Sequence, residues 1–475
     1  MSGQPAAMTP QQIIEIALAA ARSDAVVVVR ATGEANVRWA NNTVTTSGLA
    51  TSLDWYVVAI ADGAAGTVHA SAIDATSKEQ IVEVVHAAEN AARSSAESGP
   101  ARDARPLVGP STEGTENVSA ADSFADSPAE ESFEVYSCLL PGLAVAFDDA
   151  RSGSRILYGF ARHELTTSYL GTSTGLRRRW VQPTGTLEVN AKSQDLQRSS
   201  WAGSSTADFT DVDVLAMADG LTRRLDWAKR TVALEPGRYD TVLPPTSVAD
   251  FLIYLAWSAG ARPAHEGRSV FSAAGGATKI GDRVSDRPLS LYADPAEPGI
   301  ECSPFLQTSS SSDEVSVFDN GVPLPRTALI DDGAIASLLQ TRASAEEFGE
   351  PFTPGADNLI LRGGDETRTI DDLVGDLGRG LLVTSQWYIR DVDPETLLLT
   401  GLTRDGVYLV ENGEVTGAVN NFRFNMAPLD VLRRASDIGG TQRCLSREWS
   451  DWFTRTAMPP IRVDGFHMSS VSKAQ

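Results

Sequence analysis

The stretch PGRYDTVLPPTSVADFLIYLAWSAGARP, residues 236–263, decides how the second half of this chain folds. Residues 239–243 favour a strand, and the Pro-Pro pair that follows ends it. A helix is expected to begin near Thr246 or Ser247. Apolar residues then recur at offsets of three and four, which places them on one face of that helix: Val248, Phe251, Leu252, Leu255, Ala256 and Ala259. The stretch therefore predicts a strand followed directly by a buried helix.

Length and composition predict a globular protein with more than one core. The chain has 475 residues, of which 42% are hydrophobic and 21% charged. Single hydrophobic cores stop growing well below this length, so two or three domains are expected. The net charge of −22 repels phosphate backbones and argues against a nucleic-acid partner.

The cysteines and the apolar runs predict a cytoplasmic protein. Cys138, Cys302 and Cys444 are far apart and odd in number, as expected without a disulfide framework. The start of the sequence lacks the basic and apolar segments of a secretory signal. The longest apolar run, within residues 251–261, is too short to cross a bilayer, so no membrane partner is expected.

The order of elements predicts an α+β fold. Thr9-Pro10-Gln11-Gln12 and Thr76-x-x-Glu79 each start a helix with capping residues, and strand-like segments joined by turns lie between them. Short strands broken by Gly, Asp and Asn turns dominate the later sequence. We predict four parts: an N-terminal α/β domain (1–95), an acidic Ser/Ala/Gly/Pro-rich linker (96–132), a central strand-rich domain (133–232) and a large β-rich C-terminal domain (233–475).

Several segments, in sequence order, resemble one known family. They are VRWANNTVTTSG (37–48), ADGAAG (61–66), the stretch 236–263, FDNGVPLPRTALIDDGAIASLLQTRASA (318–345), NLILRGGDETRTIDDLVGDLGRGLLV (358–383) and LTGLTRDGVYLVENGEV (399–415). Together they resemble the TldD/PmbA (TldE) metallopeptidase family over most of the chain outside the linker. The resemblance implies domains like the N- and C-terminal domains of that family.

The resemblance also implies where a zinc site would lie. Catalytic TldD-type members carry His-Glu-x-x-x-His after the same strand and helix start. Aligned on Gly260, those three positions hold Ala256, Trp257 and Ala261. None of these side chains can donate to zinc or accept a proton. The resemblance thus implies the TldE/PmbA-like type, with no catalytic, cofactor or metal residues of its own.

Cys444 is the remaining candidate ligand, because catalytic members of the family use a late Cys as third zinc ligand. Its surroundings, RCLSREWSDWF, differ from the glycine-rich segment expected there. Three interpretations stay open: a buried structural Cys, a remnant of a ligand position, and a working metal site. Two other pairs, His163-Glu164 and His265-Glu266, lack a second His four or five residues later, so neither forms a local zinc motif.

The resemblance implies a non-catalytic subunit that pairs with a TldD-like zinc peptidase and helps to enclose unfolded peptides. Zinc is expected in the partner and not in this chain. One alternative is a stand-alone metallopeptidase with an atypical site built from Cys444, His467 and an Asp. Another is a scaffolding or modulator protein without a proteolytic partner.

Overall fold

The described residues of the first half form one antiparallel sheet flanked by four α-helices. The computed structural model describes residues 8–110, 124–404 and 406–472. The strands are β1 (Asp24–Ala40), β2 (Thr43–Ala61), β3 (Ala64–Ser71), β4 (Arg155–Thr172), β5 (Arg177–Ser193) and β6 (Ser199–Thr206), and the helices are α1 (Pro10–Ala20), α2 (Lys78–Ala96), α3 (Leu139–Ser152) and α4 (Val214–Trp227). Their order in the sheet is β3-β2-β1-β4-β5-β6.

This sheet corrects the predicted division between residues 1–95 and 133–232. β1 pairs with β4 from Val26 to Trp39, so strands of both predicted domains belong to one sheet. Two cores lie beside this sheet, and each contains residues of both predicted domains. α1 and α2 pack around Trp55 and Tyr169, whereas α3 and α4 pack around Tyr136 and Phe209.

The strands of this sheet are longer than the sequence predicts. β1 and β2 run for 17 and 19 residues and include residues 30–35 and 48–52, which carry few strand-forming side chains. β1 lies between β2 and β4, and both neighbours pair with it through Thr32 and Gly33. This pairing satisfies the backbone of a segment with weak intrinsic strand preference, so tertiary context overrides propensity.

The segment predicted as a linker packs against the rest of the molecule at both ends. Arg102 forms ion pairs with Glu266 and Glu347, at 2.9 and 2.8 Å. On the other side, the Asp126 carbonyl accepts a hydrogen bond of 2.7 Å from the Tyr169 hydroxyl. Residues 97–110 and 124–132 are therefore fixed by contacts, whereas residues 111–123 lie outside the described part of the chain.

The second half of the chain contains two sheets and five helices within the described residues. The strands are β7 (Thr231–Val232), β8 (Gly237–Leu243), β9 (Ser290–Ala293), β10 (Thr327–Asp331), β11 (Ala334–Ile335), β12 (Leu359–Arg362), β13 (Arg379–Val383), β14 (Trp387–Asp393), β15 (Leu398–Leu402), β16 (Val407–Glu411), β17 (Glu414–Val419), β18 (Phe422–Met426), β19 (Ala435–Ile438), β20 (Gln442–Cys444), β21 (Thr456–Met458) and β22 (Ile461–Val471). The helices are α5 (Pro245–Trp257), α6 (Ala261–His265), α7 (Arg342–Phe348), α8 (Ile370–Gly375) and α9 (Pro428–Arg433). The α+β class is confirmed.

One core joins the two sheets of this half. The first sheet has the order β11-β10-β9-β12-β21-β20, and the second β14-β15-β18-β22-β8-β13-β16-β17-β7, with β19 also paired to β22. α5 contributes Val248, Phe251, Leu252 and Leu255 to the shared core. A helix that is apolar on most sides needs such enclosure. No helix of the described residues is long and apolar enough to cross a membrane.

Candidate functional site

The strand–helix unit of residues 236–263 positions the candidate site. β8 leads into Pro244 and Pro245, and α5 begins at Pro245, one or two residues before the start predicted at Thr246 or Ser247. The Ser247 hydroxyl donates 3.1 Å to the Val383 carbonyl and fixes the first turn against β13. At the other end, Ser258 caps the helix by donating 2.9 Å to the Tyr254 carbonyl. Ala256 and Trp257 therefore occupy the last turn of a firmly held helix.

Ala256 and Trp257 line a cavity of about 910 Å³. Its walls come from the end of α5, the loop segments near Phe305 and Glu314, β12 and the segment 449–453. Ala256 is half-buried, and Trp257 is 43% exposed. A cavity of this size and an apolar lining are typical of ligand sites in proteins.

Aromatic side chains line much of this cavity. The Trp257 ring lies 4.7 Å from that of Trp449 in an edge-to-face arrangement, and 6.5 Å from that of Phe453. Tyr254 contacts both Trp449, at 5.3 Å, and Trp257, at 6.0 Å. Trp452, which also lines the cavity, is 79% exposed. Such rings bury large apolar groups and keep a polar edge, so they suit contact with bulky side chains of another chain.

The Glu314 carboxyl group lines the cavity near Ala256 and Trp257. Gly260 lies so near Glu314 that a β-carbon on the glycine would be 2.6 Å from Glu314 Oε1. Burial raises the pKa of Glu314, while a hydrogen bond of 2.8 Å from the Ser312 hydroxyl partly opposes that rise. Asp357, at another wall, pairs with Arg455 at 2.7 Å. The acidic groups of the cavity are thus hydrogen-bonded or paired.

Ala261 lies apart from the cavity, in the hydrophobic core. It is fully buried, and its backbone N–H donates 2.9 Å to the Leu339 carbonyl. The Leu339 N–H in turn donates 2.7 Å to the Ala259 carbonyl, so a short parallel bridge fixes this segment. The structure therefore brings Ala256 and Trp257 together at one surface and leaves Ala261 behind it.

Cys444 ends β20 and is buried in the same core. Its thiol lies 3.3 Å from the Thr456 hydroxyl, and the Thr456 hydroxyl donates 2.6 Å to the Cys444 carbonyl. Burial raises the pKa of the thiol to about 12. Its position in the apolar core, beside the Thr456 hydroxyl, favours the interpretation of Cys444 as a structural residue.

The residues present do not fit a catalytic zinc ion. Ala256, Trp257 and Ala261 offer no donor atom, and Cys444 alone cannot supply the three protein ligands that catalytic zinc sites use. The alternative partner His467 lies on β22 of the larger sheet, whereas Cys444 is on β20 of the smaller one. Within residues 8–110, 124–404 and 406–472, no three His, Cys, Asp or Glu side chains group as metal ligands.

The two His-Glu pairs serve hydrogen bonding. His163 is buried, with Nδ1 against the Glu131 carboxylate and Nε2 2.7 Å from the Ala207 carbonyl. His265 stacks on Phe348 at 4.0 Å and contacts Glu350 at 3.0 Å. Both interactions hold loops against secondary structure.

Sequence reasoning missed the aromatic segment 449–453 as part of the site. Three aromatic residues fall within these five positions, in a chain that is 7% aromatic overall. That local enrichment was the available signal. The buried Asp250 was missed as well: its Oδ1 accepts 2.9 Å from the Glu448 N–H, and burial raises its pKa well above the ordinary value. It thereby ties α5 to the segment that carries Trp449.

The segment that contains this site matches a known family. Residues 236–470 match the family model for the PmbA/TldA metallopeptidase C-terminal domain. No curated protein sequence matches the chain.

Solved structures share the fold over nearly the whole chain. TldE from Thermococcus kodakarensis is 15% identical, with a TM-score of 0.74 over 96% of this chain and 99% of that one. A candidate modulator of a DNA gyrase from Thermotoga maritima is 15% identical, with a TM-score of 0.73 over 96% and 99%. A candidate modulator of DNA gyrase from Bacteroides thetaiotaomicron is 14% identical, with a TM-score of 0.74 over 97% and 98%. These likenesses establish the fold, and with the family-model match they lead to one conclusion: the chain belongs to the TldD/PmbA family.

Proposed function

We propose that this chain is a non-catalytic, TldE/PmbA-like subunit that pairs with a TldD-like zinc peptidase in the cytoplasm. The observation that carries the proposal is the replacement of all three motif positions by Ala256, Trp257 and Ala261. Their side chains cannot hold a metal or move a proton. In this assignment, peptide hydrolysis belongs to the complex, and the zinc belongs to the partner.

The cavity supports a role in handling peptides. Trp257, Trp449 and Trp452 line a space of about 910 Å³ at the end of α5. Rings of this kind bind apolar side chains, which unfolded peptides expose and folded proteins bury. We propose that the cavity forms part of the wall that encloses an unfolded peptide before the partner cleaves it.

Co-expression with a TldD-like chain that retains His-Glu-x-x-x-His tests the assignment. We expect the two chains to purify together, with zinc bound to the complex and cleavage of an unstructured fluorogenic peptide. Replacing the first motif His of the partner by Ala should abolish cleavage and leave the assembly intact. A peptidase activity of this chain alone would refute the proposal and favour a stand-alone enzyme.

Trp257→Ala and Trp257→Phe in this chain test, independently of assembly, whether the cavity contacts the peptide. If the cavity guides the peptide, Trp257→Ala should raise the KM of the complex while the zinc content stays the same, and Trp257→Phe should restore most of the loss. Assembly with no cleavage of any unstructured peptide would instead favour the scaffolding or modulator role.

A further inference from the structure

A second cavity, small and polar, lies where the first sheet meets the C-terminal half. It has a volume of about 190 Å³. Lys192 and Trp201 reach it from β5 and β6, while Trp387, Arg404 and Arg447 reach it from the other side. It is separate from the cavity at the end of α5, because the two share no lining residue.

Arg447 is held rigidly in this second cavity. Its guanidinium lies between two indole rings, 4.7 Å from the centre of Trp201 and 4.6 Å from that of Trp387. Arg447 Nη1 forms an ion pair with Glu188 Oε2 at 2.9 Å. The same oxygen accepts a hydrogen bond of 2.7 Å from Trp201 Nε1. A guanidinium stacked and paired in this way loses little further entropy when it binds a ligand.

One N–H of this guanidinium and one of the stacked indole N–H groups have no acceptor among the described residues. Arg447 Nε and Trp387 Nε1 are buried, and neither has a hydrogen-bond partner among the described residues. A buried donor without an acceptor costs roughly 1–3 kcal/mol in general, so such groups normally have a partner. Both residues line the cavity, which is large enough for a small molecule that could supply the acceptor.

The charge around the cavity favours an anion. Lys192, Arg404 and Arg447 converge there in a chain whose net charge is −22. Burial and the charge of Arg404 lower the pKa of Arg447, while Glu188, Asp250 and Glu448 act in the opposite direction. None of the described residues that line the cavity is acidic, so an oxyanion there would lie beside cationic side chains and supply hydrogen-bond acceptors.

We propose that this cavity is a binding site for a small oxyanion, a carboxylate or a phosphate. The ligand would accept hydrogen bonds from Arg447 and Trp387 and form ion pairs with Lys192 and Arg404. Because the site joins β5 and β6 to the C-terminal half, a bound anion would also stabilise that junction. The assignment does not depend on a peptidase partner, since every residue in it belongs to this chain.

Anion titrations of the purified full chain test the site. Inorganic phosphate and acetate are the two probes, each added at constant ionic strength against chloride, with heat of binding and tryptophan fluorescence as readouts. We expect saturable binding of at least one probe and a rise in Tm with its concentration. Phosphate binding alone identifies a phosphate site, and acetate binding alone identifies a carboxylate site. No saturable binding of either probe overturns the proposal.

Charge variants distinguish a binding site from a purely structural junction. Lys192→Gln and Arg404→Gln should each weaken the affinity for the bound probe about tenfold or more, since each removes a charge-assisted contact. Arg433→Gln, at a half-exposed surface ion pair with Asp430, is the matched control and should leave the affinity unchanged. Equal affinities in all four proteins would refute the site. If one variant fails to fold, the other decides the question.

Discussion

The end of α5 and the start of α6 lie a few residues apart but in opposite surroundings. Ala256 and Trp257 face a cavity of about 910 Å³, whereas Ala261 is fully buried in the core. In a catalytic relative, the side chains at these positions would have to converge on one metal. In this chain, the third position, Ala261, is enclosed by core side chains. The difference teaches that positions 256 and 261 of this chain have different surroundings, so we expect that histidines placed at both would not share one metal ion.

The largest effect is expected for Ala261→His. The change places a large polar ring where no space exists and no partner is at hand, so overpacking and an unsatisfied polar group both destabilise the fold. We expect a loss of about 3–5 kcal/mol in the free energy of unfolding, measured by denaturant titration. Ala256→His, at the cavity surface, should cost less than about 1 kcal/mol. Equal losses for the two variants would contradict the contrast between core and cavity.

A smaller effect is expected for Trp257→Ala. The indole is 43% exposed, so the loss falls short of the roughly 3–5 kcal/mol typical of a fully buried Trp. Its ring contacts with Trp449, Tyr254 and Phe453 still contribute. We expect about 1–3 kcal/mol by denaturant titration, most of it recovered in Trp257→Phe. A full loss of 5 kcal/mol would show that Trp257 belongs to the core.

Asp250→Asn tests the buried carboxyl group within α5 through the pH dependence of stability. Burial raises the pKa of Asp250 in the folded chain, so the protonated form is favoured there. Its contribution to stability is full below the unfolded pKa of about 3.9 and is lost as pH rises through the raised folded value. Asp250→Asn mimics the protonated form and should gain stability relative to wild type as pH rises from 4 to 8.

Denaturant titrations at several pH values measure this difference. Asp371→Asn, at an exposed position, controls for the loss of one surface charge. If the free energies of unfolding of Asp250→Asn and wild type differ by the same amount at every pH, the raised pKa of Asp250 is contradicted.

The smallest effect concerns the reactivity of Cys444. Burial raises the pKa of this thiol to about 12, and it raises the pKa of the Cys302 thiol to about 12 as well. Cys138 is exposed. In folded protein at pH 8, iodoacetamide should label Cys138 and leave the other two unmodified, as read by peptide mass spectrometry. Labelling of Cys444 as fast as Cys138 would reveal a reactive thiolate and reopen the metal interpretation.

Local patterns predicted the elements that position the site. The Pro-Pro stop, the apolar spacing along α5 and the capping box at Thr9 all lie where sequence places them, because their causes act within a few residues. The resemblance to the TldD/PmbA family was confirmed by the family-model match over residues 236–470.

Features that depend on distant partners escaped prediction. The continuity of β1 through Gly33 depends on pairing with β4, more than a hundred residues later. The burial of Ala261 depends on Leu339, and the aromatic wall depends on Trp449 meeting Trp257. Nothing in the local pattern of 256–261 distinguishes a cavity-facing alanine from one in the core.

The zinc content of the purified chain, measured by mass spectrometry of the metal, tests the central claim most directly. The side chains at positions 256, 257 and 261 supply no ligand, and Cys444 alone cannot complete a zinc site, so we expect less than about one tenth of a zinc per chain. The co-purified complex with a TldD-like partner should carry about one zinc, lost when the motif His of the partner is replaced. Close to one zinc in the unpartnered chain, falling on Cys444→Ser, would contradict the account.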